Sequence, residues 1–363
     1  MKKTVFLIVT IITIVGLLEA GSKNRRGTAG AQELMIPNGS QATAMAGAYV
    51  AGISGIEAVE WNVAGVSGMS TTGEAMFSQT KWLADITISS FGIASSVGGR
   101  NIFGINLKSM DFGKIPVTTY TETEGTGEFY SPAFFNIAFL YARKMTDRIN
   151  FGADVRFISE SIINENAKGA TLDAGVQYHA KPNGLHLGVS LKNLGLNMVF
   201  NGSDLEQQHQ PVDSDPGTPN EWYSVVLQSF EMPTTLELGT SYGPIDFGAG
   251  KLVVAASFLN NNFSFDEYRF GAEFNALGLI YLRSGITIGY DPEPYGEDNI
   301  EDTQDDGDDQ QYDSKNEEFI WGPAFGFGLD LSQVTGMGIS VDYSYRTTYI
   351  FDGVSWLTFK VAF

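Results

Sequence analysis

The C-terminal stretch Val354-Ser-Trp-Leu-Thr-Phe-Lys-Val-Ala-Phe363 sets Leu357, Phe359, Val361 and Phe363 against Thr358, Lys360 and Ala362 in alternation. A period of two marks a strand with one apolar face. In a soluble sheet, an aromatic edge strand at the end of the chain would invite pairing with other chains. A closed barrel in a bilayer pairs its last strand with its first, so this stretch predicts a membrane barrel.

The same period runs back to residue 72. Phe151, Ala153, Val155 and Phe157 alternate with Gly152, Asp154 and Arg156; Leu185, Leu187, Val189 and Leu191 alternate with His186, Gly188 and Ser190. Fourteen windows of this kind are predicted as strands: 72–82, 86–96, 101–111, 132–143, 149–160, 169–180, 184–194, 233–243, 251–260, 266–277, 279–290, 319–331, 336–347 and 354–363. Most are close to the about 9–11 residues that a tilted membrane strand needs. The gaps alternate between long (112–131, 161–168, 195–232, 261–265, 291–318) and short (97–100, 144–148, 181–183, 244–250, Gly278, 332–335). Barrels of the outer membrane alternate in this way, with tight periplasmic turns and long outer loops; a soluble sandwich has no reason to. The gap 83–85 is the exception, being short on the long side. An even strand count places both ends of the mature chain in the periplasm.

Residues 1–20 are predicted as a signal peptide: Met1-Lys2-Lys3 is basic, and Thr4–Leu18 is apolar but too short to span a bilayer. Cleavage after Ala31 is the alternative. The chain has no cysteine, which excludes disulfides, thiolate metal sites and a lipid-modified cysteine. A formal net charge of -20 argues against nucleic acid. Thirteen acidic residues against Lys315 alone fall within 291–318, so most of the excess belongs to one loop. Mean hydropathy is near zero (-0.05), and it decides nothing, because a barrel's lipid face occupies only alternate positions.

Residues 33–71 lack the strand period. Small and apolar residues from Ala42 to Ala51, interspersed with glycines, suit close packing, and the segment is predicted as a hatch in the barrel lumen before the 72–363 wall. Strand parity directs Asp154, Arg156, Lys192, Arg269, Glu273, Arg283, Asp342 and Arg346 inward, as ion pairs holding the hatch or lining a pore. His179 and His186 bracket a short turn and His209 lies in a polar loop, so no nucleophile–base–acid arrangement emerges and no catalytic residue is assigned. Gly248-Ala-Gly-Lys251 lacks the spacing of a phosphate loop. Asp302–Asp313 partly matches a calcium loop, with Gln304 and Asp313 as departures; a solvated acidic loop is the preferred reading, weak calcium binding the alternative, and no cofactor is expected. Trp222, Tyr223 and Phe230 are candidate contacts for a partner, or else part of an interfacial aromatic girdle.

Ala46-Gly-Ala-Tyr-Val-Ala51, followed by Glu60-Trp-Asn-Val-Ala-Gly65, resembles the N-terminal signature of the PorV/PorQ outer-membrane family, distant relatives of the FadL-type barrels. Gly47, Tyr49, Trp61, Asn62, Ala64 and Gly65 carry that hatch motif, with Val63 where the family has proline. Further blocks at 141–148, 152–160, 172–178, 191–195 and 232–242 follow in the family's order. The resemblance implies a fourteen-stranded barrel with an N-terminal hatch and no enzymatic activity. It also implies a protein-binding role in type IX secretion, with secretion-system or cargo proteins as partners. Uptake of hydrophobic small molecules, as in FadL-type barrels, is the competing expectation.

Overall fold

A computed structural model describes residues 25, 27–213, 215, 218–290 and 319–363. The predicted signal peptide and the possible calcium loop Asp302–Asp313 lie outside the described residues. Fourteen antiparallel strands form the wall: β1 Gly73–Lys81, β2 Thr87–Val97, β3 Asn101–Asp111, β4 Ala133–Lys144, β5 Ile149–Ile162, β6 Glu165–His179, β7 Gly184–Gly195, β8 Thr235–Asp246, β9 Gly250–Asn261, β10 Asp266–Ala276, β11 Ile280–Tyr290, β12 Trp321–Asp330, β13 Gly338–Thr348 and β14 Val354–Ala362. Each pairs with the next, and β14 returns to β1 with Phe359 opposite Phe77 and Trp356 opposite Thr80. The ring has no free edge, so the wall's main-chain donors and acceptors are paired around it.

The faces are reversed from those of a soluble sheet. On β5, Phe151, Val155 and Phe157 are exposed while Asp154, Arg156 and Glu160 are buried. Every strand exposes at least one large apolar side chain, from Phe77 on β1 to Phe359 on β14. Water would oppose such an exterior and hydrocarbon would not, which makes this an outer-membrane-type barrel. No described helix is long and apolar enough to cross a membrane.

The long connections 112–132 and 196–234 share one end of the barrel, but length does not separate the two ends throughout: the gap expected to be long at 161–168 is a tight turn at that same end, Ile163 and Asn164 between β5 and β6, with Ile163 at φ 55°, because β5 and β6 pair to their tips. The β2–β3 turn is closed by Gly98 and Gly99 at φ 66° and 78°, the left-handed pair that a tight hairpin requires. At the opposite end, long loops carry two small hairpins, Ile115–Pro116 with Phe129–Tyr130 and Glu206–His209 with Glu221–Ser224. The short β1–β2 connection at this end turns through Ala84 and Asp85 at φ 54° and 60°. It brings Trp82 to 5.4 Å from Trp321 and 6.3 Å from Trp356, ring centre to ring centre, an aromatic cluster at the long-loop rim.

Residues 29–72 run inside this ring. Their backbone or side chains meet Gly92 of β2, Gly152 of β5, Gly188 of β7, Gly239 of β8, Gly285 of β11 and Thr358 of β14, contacts on every side that only an enclosed segment can make. One expectation is corrected here. The C-terminus lies at the short-turn end, where the Phe363 N–H donates to the Gly73 carbonyl. The described N-terminal residues reach the opposite end: Arg25 pairs with Glu231 and lies over Phe263, and Ala29 bridges to Glu231. Strand parity could not foresee this, because the segment crosses the lumen before the first strand begins.

Candidate functional site

The interface between the enclosed segment and the inner wall concentrates the molecule's buried polar groups. Its centre is Asn62. The Asn62 side chain accepts from the Ala64 N–H at 3.2 Å and caps the 3-10 turn Val63–Gly68. Its Nδ2 donates to the carbonyls of Val50 (3.1 Å), Val176 (3.3 Å) and Val189 (3.3 Å), joining two parts of the segment to β6 and β7. Gln177 on β6 donates to the Val50 and Ile53 carbonyls at 3.2 and 2.9 Å.

The wall admits the segment because it is locally bare. Gly152 stands opposite Gly175, Gly188 opposite Gly239 and Gly271 opposite Gly285. A Cβ at Gly152 would overlap the Val63 carbonyl and the Ala64 nitrogen; one at Gly285 would overlap the Met45 backbone. Gly152, Gly188, Gly271 and Gly285 are seats for main chain, while Gly175 and Gly239 make room for the Asn62 and Val50 side chains, and the segment matches them with the small residues Ala42, Ala44, Ala48 and Ala51. Of the motif residues, Gly47 has φ 82°, and a Cβ there would come 2.8 Å from Arg269 Nη1 and 2.9 Å from Trp61. Gly65 donates to the Asn62 carbonyl at 2.9 Å, and Ala64 is fully buried. Tyr49 packs into the apolar clusters around Ile53 and Met45, and burial pushes its phenol up. Val63 occupies the first position of the turn, its own side chain buried in the cluster with Leu140 and Ala142.

All eight parity-assigned charges face inward, and the structure distributes them in separate groups. Arg283 pairs with Glu273 and Asp342, each at 2.6 Å. Arg269 pairs with Glu237 at 3.2 Å and Glu267 at 2.8 Å. Arg156 lies 3.5 Å from Asp173 and 3.9 Å from Asp154. Arg346 donates to Thr287 Oγ1 at 2.7 Å and stacks over Trp321, while Lys192 reaches the Glu60 carbonyl at 3.5 Å and lies over the Trp61 ring.

Sequence reading missed the residues that join segment to wall. Glu57 pairs with Lys360 on β14 at 2.9 Å, and Lys360 also reaches Asp342 at 3.2 Å. Glu60 accepts from Asn106 at 2.6 Å and pairs with Lys108 on β3 at 3.5 Å. Burial opposes ionisation of Glu60, but Lys108, Arg156 and the Asn106 hydrogen bond outweigh it and hold its carboxyl below the usual range. Lys108 also donates to the Ile36 carbonyl. The parity that assigned Arg283 would have assigned Lys108 and Lys360. No strand rule reaches Glu57 or Glu60.

At the long-loop end, the strap Ala29–Ile36 fills an apolar recess. Ala31 and Leu34 pack with Ile158, Met198, Met232 and Phe230, and Ile36 packs with Ile88, Met110 and Phe134. Phe230 is thus corrected as a partner contact. The Met198–Phe230 bridge turns its ring inward against Gly30, leaving Trp222 and Tyr223 exposed on the outer hairpin at 66% and 45%. Glu33 and Glu160 are buried next to each other beside this recess.

The histidines form no site. His179 and His186 meet edge to face with ring centres 4.5 Å apart at the short-turn rim, and His186 Nε2 lies 3.1 Å from the Lys181 carbonyl; His209 is exposed. Among the described residues, no group of three or more acidic or histidine side chains is placed to hold a metal. No family model and no curated protein matches the chain.

Among solved structures, the monoaromatic hydrocarbon channel CymD is similar over 90% of this chain and 96% of its own, with TM-score 0.56 and 12% identity. The Pseudomonas putida toluene transporter TodX is similar over 86% and 94%, with TM-score 0.51 and 12% identity. A Pseudomonas aeruginosa FadL homologue aligns over 95% and 98% with TM-score 0.44 and 10% identity. The likeness to the first two is one of fold: this chain is a closed fourteen-stranded barrel built like the hydrocarbon channels.

Proposed function

We propose that the protein is a non-enzymatic outer-membrane channel for hydrophobic small molecules, exported through its N-terminal signal and closed by its own N-terminal segment. The observation that carries this reading is the recess at the long-loop end. It is lined by Met198, Met232, Phe200 and Phe230, and it is filled by a strap of the same chain, not by the wall. Methionine and phenylalanine give an adaptable apolar surface suited to small hydrophobic guests. Displacing the strap would expose it toward the outside, and moving the rest of the segment would open the lumen below. The hydrocarbon channels named above, as proteins of the same fold, support the substrate class. No cofactor enters the reading.

The test is uptake of radiolabelled toluene by cells that lack the protein, cells that carry it and cells that carry a form without residues 29–36. The proposal expects uptake to require the protein and to change when the strap is removed. Equal uptake in all three would overturn it. The exposed Trp222 and Tyr223 favour a second reading, a protein-binding barrel of PorV/PorQ type serving secreted cargo. Affinity purification of the detergent-solubilised barrel from its own cells separates the two. Recovery of secretion or cargo proteins, lost with Trp222→Ala/Tyr223→Ala, would favour the second.

A further inference from the structure

A polar cavity of about 440 Å³ opens at the short-turn end between the enclosed segment and the wall. Ser67, Ser70, Thr71 and Thr72 of the segment's final stretch line it together with Ser96 of β2 and Lys144 of β4, and the Ser96 N–H donates to the Thr72 carbonyl at 2.7 Å. Ser67 Oγ is committed to the Ala64 carbonyl and Thr71 Oγ1 to the Gly73 carbonyl. The hydroxyls of Ser70, Thr72 and Ser96 and the Lys144 ammonium have no side-chain partner among the described residues. The cavity therefore presents three neutral donors and one cation to whatever enters. It contains no carboxylate.

Its surroundings point the same way. The two turns beside it, 97–101 and 143–149, carry Arg100, Arg143, Lys144 and Arg148 against the single acid Asp147. Arg100, Arg143 and Arg148 are exposed, and the Lys144 N–H donates to the Arg100 carbonyl at 3.1 Å, which fixes the two turns side by side. In a chain of formal net charge -20 this is a local positive field. It draws anions to the rim, and the hydroxyl-lined cavity supplies directional donors once one arrives.

We propose that this cavity binds a phosphate-type oxyanion, held by Lys144 and the hydroxyls of Ser70, Thr72 and Ser96. The bound group would touch both the last stretch of the enclosed segment and the wall. Free phosphate and the headgroup of an anionic phospholipid share this chemistry, so the test has two arms. Inorganic phosphate is titrated calorimetrically into the intact protein in neutral detergent, and retention of phosphatidylglycerol is read by native mass spectrometry. Lys144→Ala is expected to weaken binding about tenfold or more, the loss of one charge-assisted contact. Lys144→Arg should stay within about threefold of wild type, and Ser70→Ala/Thr72→Val should weaken binding with Lys144 intact. These positions lie on the rim, outside the buried ion pairs, so the variants should fold. Binding of phosphate alone identifies a soluble ligand, and retention of the lipid alone identifies a headgroup; either supports the site. Binding of neither probe, or equal binding by wild type and Lys144→Ala, would overturn it.

Discussion

At the scale of single residues, the enclosed segment is held by shape first and charge second. Gly152 shows this directly: valine there would drive its side chain into the Val63 carbonyl and the Ala64 nitrogen, main chain that cannot rotate away. Overpacking of this kind costs about 1–3 kcal/mol. The exposed face of β5 would be untouched, so Gly152→Val should still form the barrel while freeing the Val63–Gly68 turn. The check is limited proteolysis of the purified protein, with new cuts expected between residues 60 and 72 and none in the strands. An unchanged digestion pattern would mean the glycine pairs are not seats for the segment. The inward charges Arg283 and Asp342 were legible from parity alone. The glycine pairs were not, because a glycine in a strand gives no sign of what stands opposite until the register is known.

At the scale of elements, strand windows were legible to within a few residues, since alternation is imposed on every wall strand by lipid outside and polar groups inside. The strap was not, because an irregular segment has no period. Its docking carries a pH dependence of definite sign. Burial raises the Glu33 carboxyl above its ordinary value of 4.5; its own backbone contact, Lys108, Glu160 and Arg156 lower it, without offsetting the burial. Glu33 is therefore favoured in its protonated form when docked. Its contribution is fully present below about 4.5 and is lost as pH rises through the raised docked value. The protection of the amides of residues 29–36, measured as hydrogen exchange relative to the intrinsic base-catalysed rate at each pH, should fall from acidic to mildly alkaline pH, and Glu33→Gln should flatten that fall. Protection that rises with pH would reverse the assigned sign. Cleavage after Ala31 would remove the Ala29–Glu231 bridge, so an intact mass starting at Gly21 is expected for the mature protein.

At the scale of the whole molecule, the shared side of the two long gaps at 112–131 and 195–232 was readable before any coordinate, while the tight turn at Ile163 and Asn164 was not, and the long loops predict sidedness. Protease added to intact cells should cut within the 196–231 loop while sparing the turns at 144–148 and 181–183; the opposite order would invert the barrel. What the chain could not disclose is that its N-terminal stretch crosses the lumen from the long-loop end to the short-turn end. Nothing in a local pattern encodes that path.

In the proposed channel, passage requires this segment to move. The absence of native cysteine makes a direct test possible. Ser40 Oγ in the segment lies 2.8 Å from Thr358 Oγ1 on β14, close enough for Ser40→Cys and Thr358→Cys to form a disulfide. Toluene uptake by the double variant should be abolished when the pair is oxidised and restored by reductant, with each single variant insensitive to both. Full uptake through the oxidised, locked barrel would show that passage does not need the segment to move.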